Sequence, residues 1–436
     1  MSLPALRVLS PLRHRDFRRL VIGMLASLLG DGFFRVAIAL QVYAISGDNP
    51  TALSAVAATW AISQVITLPI GGAAVDRFER RKVMIVADLW RGALMGALGL
   101  LSLSGQLELW HMLVIGAGFG AGNGFFNPAA TAMVPDLLPD AELVRANAFL
   151  GIAKPGMVWL LGPLLGAAVI SSAGTGAAFL CDGATFLFSA AMLVTIQARP
   201  ALREGSYRLA ETVRDAVDGL RFVKANRWAW IWLVAAGIST MLFAGPFDIL
   251  VPNVLLFEFG MSQSEAARAM ALIFVAGGSG SIVVSVVLGQ RALPRRFMTV
   301  MFISEALGLS ALIGFGLMTS LWQAVIAGLL AHTTFALTEI IWTTTMQLHV
   351  PRNMLGRVSS LDWMTAIGVA PIGLAMAGPL GQALGARTVL VGAGLFGCAA
   401  ILALLMLPGS RDLERRLAAE AAAASPRALT RPSVGA

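Results

Sequence analysis

The chain has 436 residues, of which 57% are hydrophobic and 13% are charged, whereas an ordinary soluble domain has about 25% charged residues. This composition excludes a soluble globular enzyme and predicts an all-α polytopic membrane protein, long enough for about twelve spans of about 20 residues. The net charge of +8 does not indicate nucleic acid binding, because the basic residues lie in alternate loops and not on one soluble face.

Apolar runs follow one another along the whole chain. The first, residues 20–45, follows a basic segment and is too long for the core of a signal peptide, so we expect it to remain as the first span. The other predicted spans are 52–74, 83–104, 110–133, 147–171, 176–197, 228–256, 266–289, 298–318, 321–347, 359–383 and 387–408.

Polar segments divide the twelve predicted spans into two groups of six. The predicted divisions are a cytoplasmic segment 1–19, a six-helix bundle 20–197, a central cytoplasmic linker 198–227, a second six-helix bundle 228–408 and a mobile cytoplasmic tail 409–436. The linker contains an amphipathic stretch at 210–224, which either lies on the cytoplasmic membrane face or binds a partner.

The distribution of Arg and Lys tests this layout independently. Of 32 such residues, 27 fall on one predicted side of the membrane, two on the other side and three inside spans. A missed or extra span would invert every later loop and destroy the asymmetry. The side that collects the bases is expected to be cytoplasmic, which places both termini there.

A short charged loop separates the second and third apolar runs. Its Gly72 would let two backbones approach, and Asp76 can accept hydrogen bonds from free amides at a helix start. The pattern Gly72-x-x-x-Asp76-Arg77-x-x-Arg80-Arg81 is similar to the loop motif between the second and third helices of the major facilitator superfamily of secondary transporters. The resemblance implies a conformational latch, and the alternative is a solvated basic anchor.

Residues after this loop resemble one branch of that family. Glu79 stands where the family usually has Gly, and Asp88 and Arg91 follow. This arrangement resembles the macrolide-efflux and enterobactin-exporter branch. With Arg145 and Arg357 on other inner loops, Asp88 and Arg91 form a candidate cytoplasmic gate that closes when the cavity faces outward.

A weak repeat relates the two halves. The tripeptide Gly-Pro-Leu occurs at 162–164 and at 378–380, 216 positions apart. Equivalent spans therefore carry equivalent breaks, as a transporter built from two repeated bundles requires. In the first copy, Gly162-Pro163-x-x-Gly166 resembles the core of the signature of the superfamily's antiporter branches, which implies export.

Ionisable residues inside spans are costly in hydrocarbon unless they face water or a partner. Asp31 and Arg35 lie one helical turn apart, and they predict either a structural pair or a proton-carrying carboxylate whose contact with Arg35 changes as the cavity opens. Glu339 is the second candidate for proton coupling. For Asp182 and Glu305, solvation at the rim of the membrane is the alternative to a functional role.

Four residues are candidates for a substrate cavity near the midplane. Asp248 lies between two prolines that free helix amides and carbonyls, so it serves either a gate or a kink. Lys154 would bind an anionic substrate group or pair with a neighbouring acid. Phe125 and Trp342 belong to an aromatic set that suits a large apolar ligand, although packing is the ordinary role of such residues.

The sequence contains no catalytic constellation, metal-ligand pattern or nucleotide loop, so no enzyme activity, metal or cofactor is expected. The resemblance implies a monomeric, multi-pass, proton-coupled exporter with alternating access in a bacterial-type cytoplasmic membrane. Its partners would be the lipid bilayer, protons and a hydrophobic or amphipathic small molecule such as a drug or macrolide. The alternatives are an exporter or facilitator of siderophore or lipid-like cargo and, from another class, a membrane sensor or scaffold.

Overall fold

The computed structural model describes residues 9–197, 219–289 and 294–423, which form helices joined by short loops. The helices of the first half are α1 (Arg15–Ser46), α2 (Pro50–Arg77), α3 (Arg80–Leu103), α4 (Leu109–Leu137), α5 (Asp140–Pro155) and α6 (Gly162–Val194). The helices of the second half are α7 (Arg227–Gly245), α8 (Gln263–Gly289), α9 (Phe297–Leu317), α10 (Leu321–His349), α11 (Arg352–Leu384), α12 (Ala386–Met406) and α13 (Asp412–Ala423). The amphipathic stretch predicted at 210–224 lies mostly outside the described residues.

Two helices are interrupted where prolines and glycines occur. A π-helical segment, Gly156–Leu161, joins α5 to α6, and α7 continues through a π-helical segment that starts at Pro246. Proline has no amide hydrogen, so it removes one hydrogen bond of the regular α-helix, and the neighbouring turn can take up the wider π-helical bonding. Gly174 divides α6 with a φ of +82°, a conformation that glycine adopts at little cost. This break lies between the predicted fifth and sixth spans.

Nine helices among the described residues are long and apolar enough to cross a membrane. One of them, Arg145–Val194, has 50 residues and includes the break at Gly174, so it is long enough for two crossings. The helices α4 and α11 lie outside this set, but with 29 and 33 residues they have the length that a crossing needs. The described part of the chain is therefore an all-α membrane fold that is consistent with the twelve predicted spans.

Each half packs around its own helix pairs. In the first half α6 packs against α1 and α3, and α2 packs against α4, whereas in the second half α9 packs against α12 and α10, and α7 against α11. The backbones of α1 and α6 come into direct contact, because a Cβ atom added at Gly32 would lie 2.6 Å from the Cα of Gly162. Small residues permit such close packing in membranes.

The two halves are joined at the end where α1 finishes and α2 begins. The Tyr43 hydroxyl donates to the backbone carbonyl of Ile249 at 2.7 Å, and the amide of Gly378 donates to the Ser54 hydroxyl at 2.7 Å. Both contacts connect the first half to the second. This end is the predicted outer face, and the structure has the halves closed there.

Candidate functional site

A cavity of about 520 Å³ lies between the two halves, within the range of about 300–1,000 Å³ that is usual for small-molecule sites. Its polar lining residues are Ser27, Asp31, Arg35, Gln64, Arg91, Asn123, Asn127 and Asp248. Its apolar lining includes the aromatic residues Phe34, Trp60, Phe119, Phe126 and Phe274. The cavity can therefore enclose an apolar molecule and orient it through a few polar groups.

Arg35 connects the two halves at this cavity. Its Nη1 lies 3.5 Å from Oδ1 of Asp248, which follows Pro246 in the π-helical part of the second half. The sequence spacing favours a pair between Arg35 and Asp31, but the guanidinium instead reaches across the cavity to Asp248. Both partners remain partly exposed to the cavity, so solvent or a ligand can reach this ion pair.

Trp159 supports the same guanidinium from the first half. The Cζ of Arg35 lies 4.2 Å from the centre of the Trp159 ring, a cation–π arrangement. The Trp159 ring in turn lies 5.7 Å from Phe274 and 5.6 Å from His332, both of the second half. Through the Trp159 ring, Arg35 of α1 is therefore linked to α8 and α10 of the second half.

A buried charge cluster lies beside Asp31 inside the first half. Asp88 and Arg91 are 0% and 2% exposed, and Arg91 donates to Asp88 and, at 2.8 Å, to Oδ1 of Asn123. The guanidinium of Arg91 also lies 4.1 Å from the centre of the Phe126 ring. Asp88 and Arg91 therefore form a local ion pair. A gate role for the pair stays a prediction.

Asp182 belongs to the same cluster, where it neighbours Asp31. Its side chain is 0% exposed, so solvation at the rim of the membrane is wrong for this residue. The neighbouring Thr185 hydroxyl donates to the Asp182 backbone carbonyl at 2.7 Å. The carboxyl oxygens of Asp182 have no hydrogen-bond partner among the described residues. Gly30 provides the space, because a Cβ atom there would lie 2.3 Å from Asp182 Oδ1.

The charged loop between α2 and α3 is held by ion pairs. Glu79 accepts from Arg81 at 2.8 Å and pairs with Lys82 at 3.2 Å. Arg80 reaches α4, where it donates to the carbonyl of Ala132 at 2.9 Å and pairs with Asp136. The side chains of the predicted residues Asp76 and Arg77 lie outside the described set.

The glycine that permits close approach in this loop region is Gly71, not Gly72. A Cβ atom at Gly71 would lie 2.1 Å from the carbonyl oxygen of Gly124 in α4, whereas a Cβ atom at Gly72 would meet no described atom within 4 Å. The one-residue error has a simple cause, since adjacent residues of a helix point about 100° apart.

The other predicted gate arginines have different surroundings. Arg145 pairs with Glu142 at 3.1 Å and donates to the Ser10 hydroxyl at 3.3 Å, so it contacts the segment before α1. The Ser10 hydroxyl donates to Glu142 at 2.6 Å and holds the pKa of that carboxyl below its usual value. The Arg357 side chain lies outside the described residues.

The antiporter-like motif packs against α1 next to Asp31 and Arg35. A Cβ atom at Gly166 would lie 2.9 Å from the Cα of Phe33, and Gly162 contacts α1 as described above. Pro163 is buried between them. The motif therefore sets the distance between α1 and α6 at the level of the cavity.

The remaining predicted cavity residues do not line the central cavity. Lys154 is half-buried at the end of α5, and Phe125 lies in a groove between α2, α3 and α4. Trp342 is 2% exposed and lines a second cavity together with Glu339. Glu305 also lies there and is buried, so the alternative of solvation at the membrane rim is wrong for this residue.

The structure therefore separates the two acids predicted for proton coupling, Asp31 and Glu339, into different cavities. Sequence reasoning missed Trp159 and Asn123 as partners of the arginines and Asp362 as a lining residue of the second cavity. A charged residue inside an apolar run was a signal for Asp362. For Trp159 and Asn123 the sequence carries no such signal.

Comparison with known proteins tests the family resemblance and the fold. A model of the Major Facilitator Superfamily matches residues 20–371. The chain is 26% identical over 383 residues to the enterobactin exporter EntS of Citrobacter koseri, covering 84% of this chain and 86% of that protein. It is 25% identical over 408 residues to the multidrug efflux pump Tap of Mycobacterium tuberculosis, with coverages of 91% and 94%. The solved structure of the nucleoside transporter NupG superposes with a TM-score of 0.66 at 12% identity, covering 89% and 99%.

Proposed function

The chain belongs to the major facilitator superfamily, and on that premise we propose that it exports a hydrophobic or amphipathic small molecule in exchange for protons. Family membership makes it a multi-pass membrane transporter and not an enzyme. The proposal places it in a bacterial inner membrane, as a monomer with both termini in the cytoplasm. Cargo and proton would use the cavity between the halves in turn.

The contact of Arg35 with Asp248 is the observation that carries this proposal. It joins α1 to the second half at 3.5 Å inside the cavity. Alternating access requires the halves to move against each other around a central site. An ion pair that spans the halves must change during that movement, and its strength depends on whether the carboxyl carries a proton.

Proton coupling is assigned to Asp31, with Glu339 as the second carboxyl. Asp31 lines the cavity and lies within electrostatic range of Arg91, Asp88 and Arg35. Together with Asp182 the cluster holds three acids beside Arg91, so full ionisation would leave uncompensated negative charge in a buried place. We expect one carboxyl to hold a proton until water reaches the cavity from the other side.

Export is favoured over uptake by two observations. The Gly162-Pro163-x-x-Gly166 motif is antiporter-like and packs against α1 beside Arg35. Two relatives of similar length are described as an exporter and as an efflux pump. The resemblance to EntS also favours a second candidate, export or facilitated passage of siderophore-like cargo, which would show flux without a proton gradient.

Everted membrane vesicles test the coupling assignment. With an imposed pH gradient, wild-type protein should accumulate a transported dye or drug, and Asp31→Asn should reduce gradient-driven uptake to the level of empty vesicles. Asp16→Asn is a suitable control, because Asp16 pairs with Arg19 at the start of α1, away from the cavity. Full gradient-driven transport by Asp31→Asn would contradict the role of that carboxyl.

A further inference from the structure

The second half contains a separate cavity of about 300 Å³. None of its lining residues lines the central cavity. Its walls come from α7, α9, α10 and α11, and the lining residues with polar or aromatic side chains are Trp232, Ser239, Thr240, Phe243, Glu305, Phe335, Thr338, Glu339, Trp342 and Asp362.

Three of these residues are acids, and the described lining contains no Lys, Arg or His. Glu339 lies within electrostatic range of both Glu305 and Asp362. Glu305 is buried beside the hydroxyls of Ser239 and Thr338. Three carboxyl groups that line one partly buried cavity are costly to ionise together unless a cation joins them. The cavity therefore needs protons or a positively charged ligand.

The rest of the wall is aromatic. The ring centres of Phe243 and Phe335 are 4.8 Å apart, and those of Trp232 and Trp342 are 5.7 Å apart. Trp232 is 3% exposed, and its indole nitrogen has no hydrogen-bond partner among the described residues. The aromatic rings therefore give the cavity an apolar wall beside its three acids.

We propose that this cavity binds an organic ammonium ion with an apolar body, and that such cations are among the exported cargo. The inference rests on the proposed export function. Carboxylates and aromatic faces together recognise organic ammonium groups. Glu339 has an exposed side chain and Asp362 a half-buried one, so these two meet the cation. Glu305 is buried. An ammonium ion and a proton compete for the same carboxylates.

Tryptophan fluorescence of the purified full-length protein can measure this binding, because Trp232 and Trp342 line the cavity. Phenyltrimethylammonium is the probe and tert-butylbenzene its neutral isostere. We expect the cation to bind about 10-fold more tightly than the isostere. The probe has no titratable proton, so weaker binding as pH falls reports protonation of the lining acids Glu305, Glu339 and Asp362.

The variant Glu339→Gln with Asp362→Asn should lose this preference for the cation and bind the isostere as the wild type does. Unchanged isostere binding shows that the variant is folded. Glu305→Gln should have a smaller effect, and Glu265→Gln, at the start of α8 and outside the cavity, is the matched control. Equal affinity of wild-type protein for cation and isostere, or an unchanged preference in the double variant, overturns the inference.

The same experiments separate this inference from the proposed function. If the wild type shows gradient-driven export but binds the cation no better than the isostere, the cation site is wrong and the export function stands. If the cation binds as expected while gradient-driven transport is absent, the export function is wrong and the binding site stands.

Discussion

Gly378 in α11 should control how firmly the halves close at the predicted outer end. Its amide donates to the Ser54 hydroxyl at 2.7 Å. A Cβ atom there would lie 2.2 Å from the carbonyl oxygen of Pro50 and 2.5 Å from the Ser54 oxygen. The substitution Gly378→Ala must therefore push α11 away from α2, which favours conformations in which this end is open.

The size of the effect follows from three contributions. Overpacking costs about 1–3 kcal/mol, and loss of the amide hydrogen bond costs about 1 kcal/mol. Replacing Gly by Ala in a helix returns about 1 kcal/mol, but in both conformations, so it does not change their ratio. Relaxation around the new methyl group reduces the sum, and the expected shift of about 1–3 kcal/mol corresponds to about a 5–150-fold change in population.

Cysteine labelling from outside the cell can measure this change. Ala57 lines the central cavity, so Ala57→Cys, with Cys181 and Cys398 replaced by serine, reports its accessibility to a membrane-impermeant maleimide. The labelling rate should rise by the same 5–150-fold factor in Gly378→Ala. Gly368→Ala is the matched control in the same helix, because a Cβ atom there meets nothing within 4 Å.

An unchanged labelling rate in Gly378→Ala, or a comparable rise in Gly378→Ala and Gly368→Ala, would refute the reasoning. The first result would mean that α2 and α11 can absorb a methyl group while remaining closed. The second would mean that an added methyl group anywhere in α11 opens this end, without steric contact between the halves.

Three further predictions concern the cavity and the first half. A double variant that carries Arg35→Gln and Asp248→Asn should reduce the initial transport rate no more than the stronger of the two single variants. Each substitution removes the same ion pair, so their effects should not add. Asp182→Asn should change the unfolding temperature little, because an amide of the same shape replaces a buried carboxyl that accepts no hydrogen bond from the described residues. Gly71→Ala should lower the free energy of unfolding by about 1–3 kcal/mol, whereas Gly72→Ala should be neutral or slightly stabilising, as denaturant unfolding can measure.

Each of these predictions has a clear contrary result. Additive losses in the Arg35 and Asp248 variants would mean that the residues act independently. A large destabilisation by Asp182→Asn would indicate that the carboxyl is charged and paired in the folded protein. Equal destabilisation at Gly71 and Gly72 would show that the loop region, and not contact with α4, determines the cost.

The amino-acid sequence by itself determined the class of the protein and the positions of its helices. The predicted first span 20–45 lies within α1, and the predicted boundary between 171 and 176 contains the break at Gly174. These features depend on the hydropathy of neighbouring residues and on local backbone preferences, so a single segment is enough to predict them. The loop motif likewise pointed to the family that the comparison confirms.

Only the tertiary structure decided which charges meet. Arg35 and Asp248 are 213 positions apart, and their contact depends on how α1 and α7 are rotated and placed. The same is true of the burial of Asp182 against Gly30 and of the separation of Asp31 from Glu339. A helix in a membrane forms all its backbone hydrogen bonds within itself. Hydropathy therefore does not determine how the helix is rotated or which helices it packs against. Close packing of small residues then selects one arrangement, and that arrangement creates the two cavities.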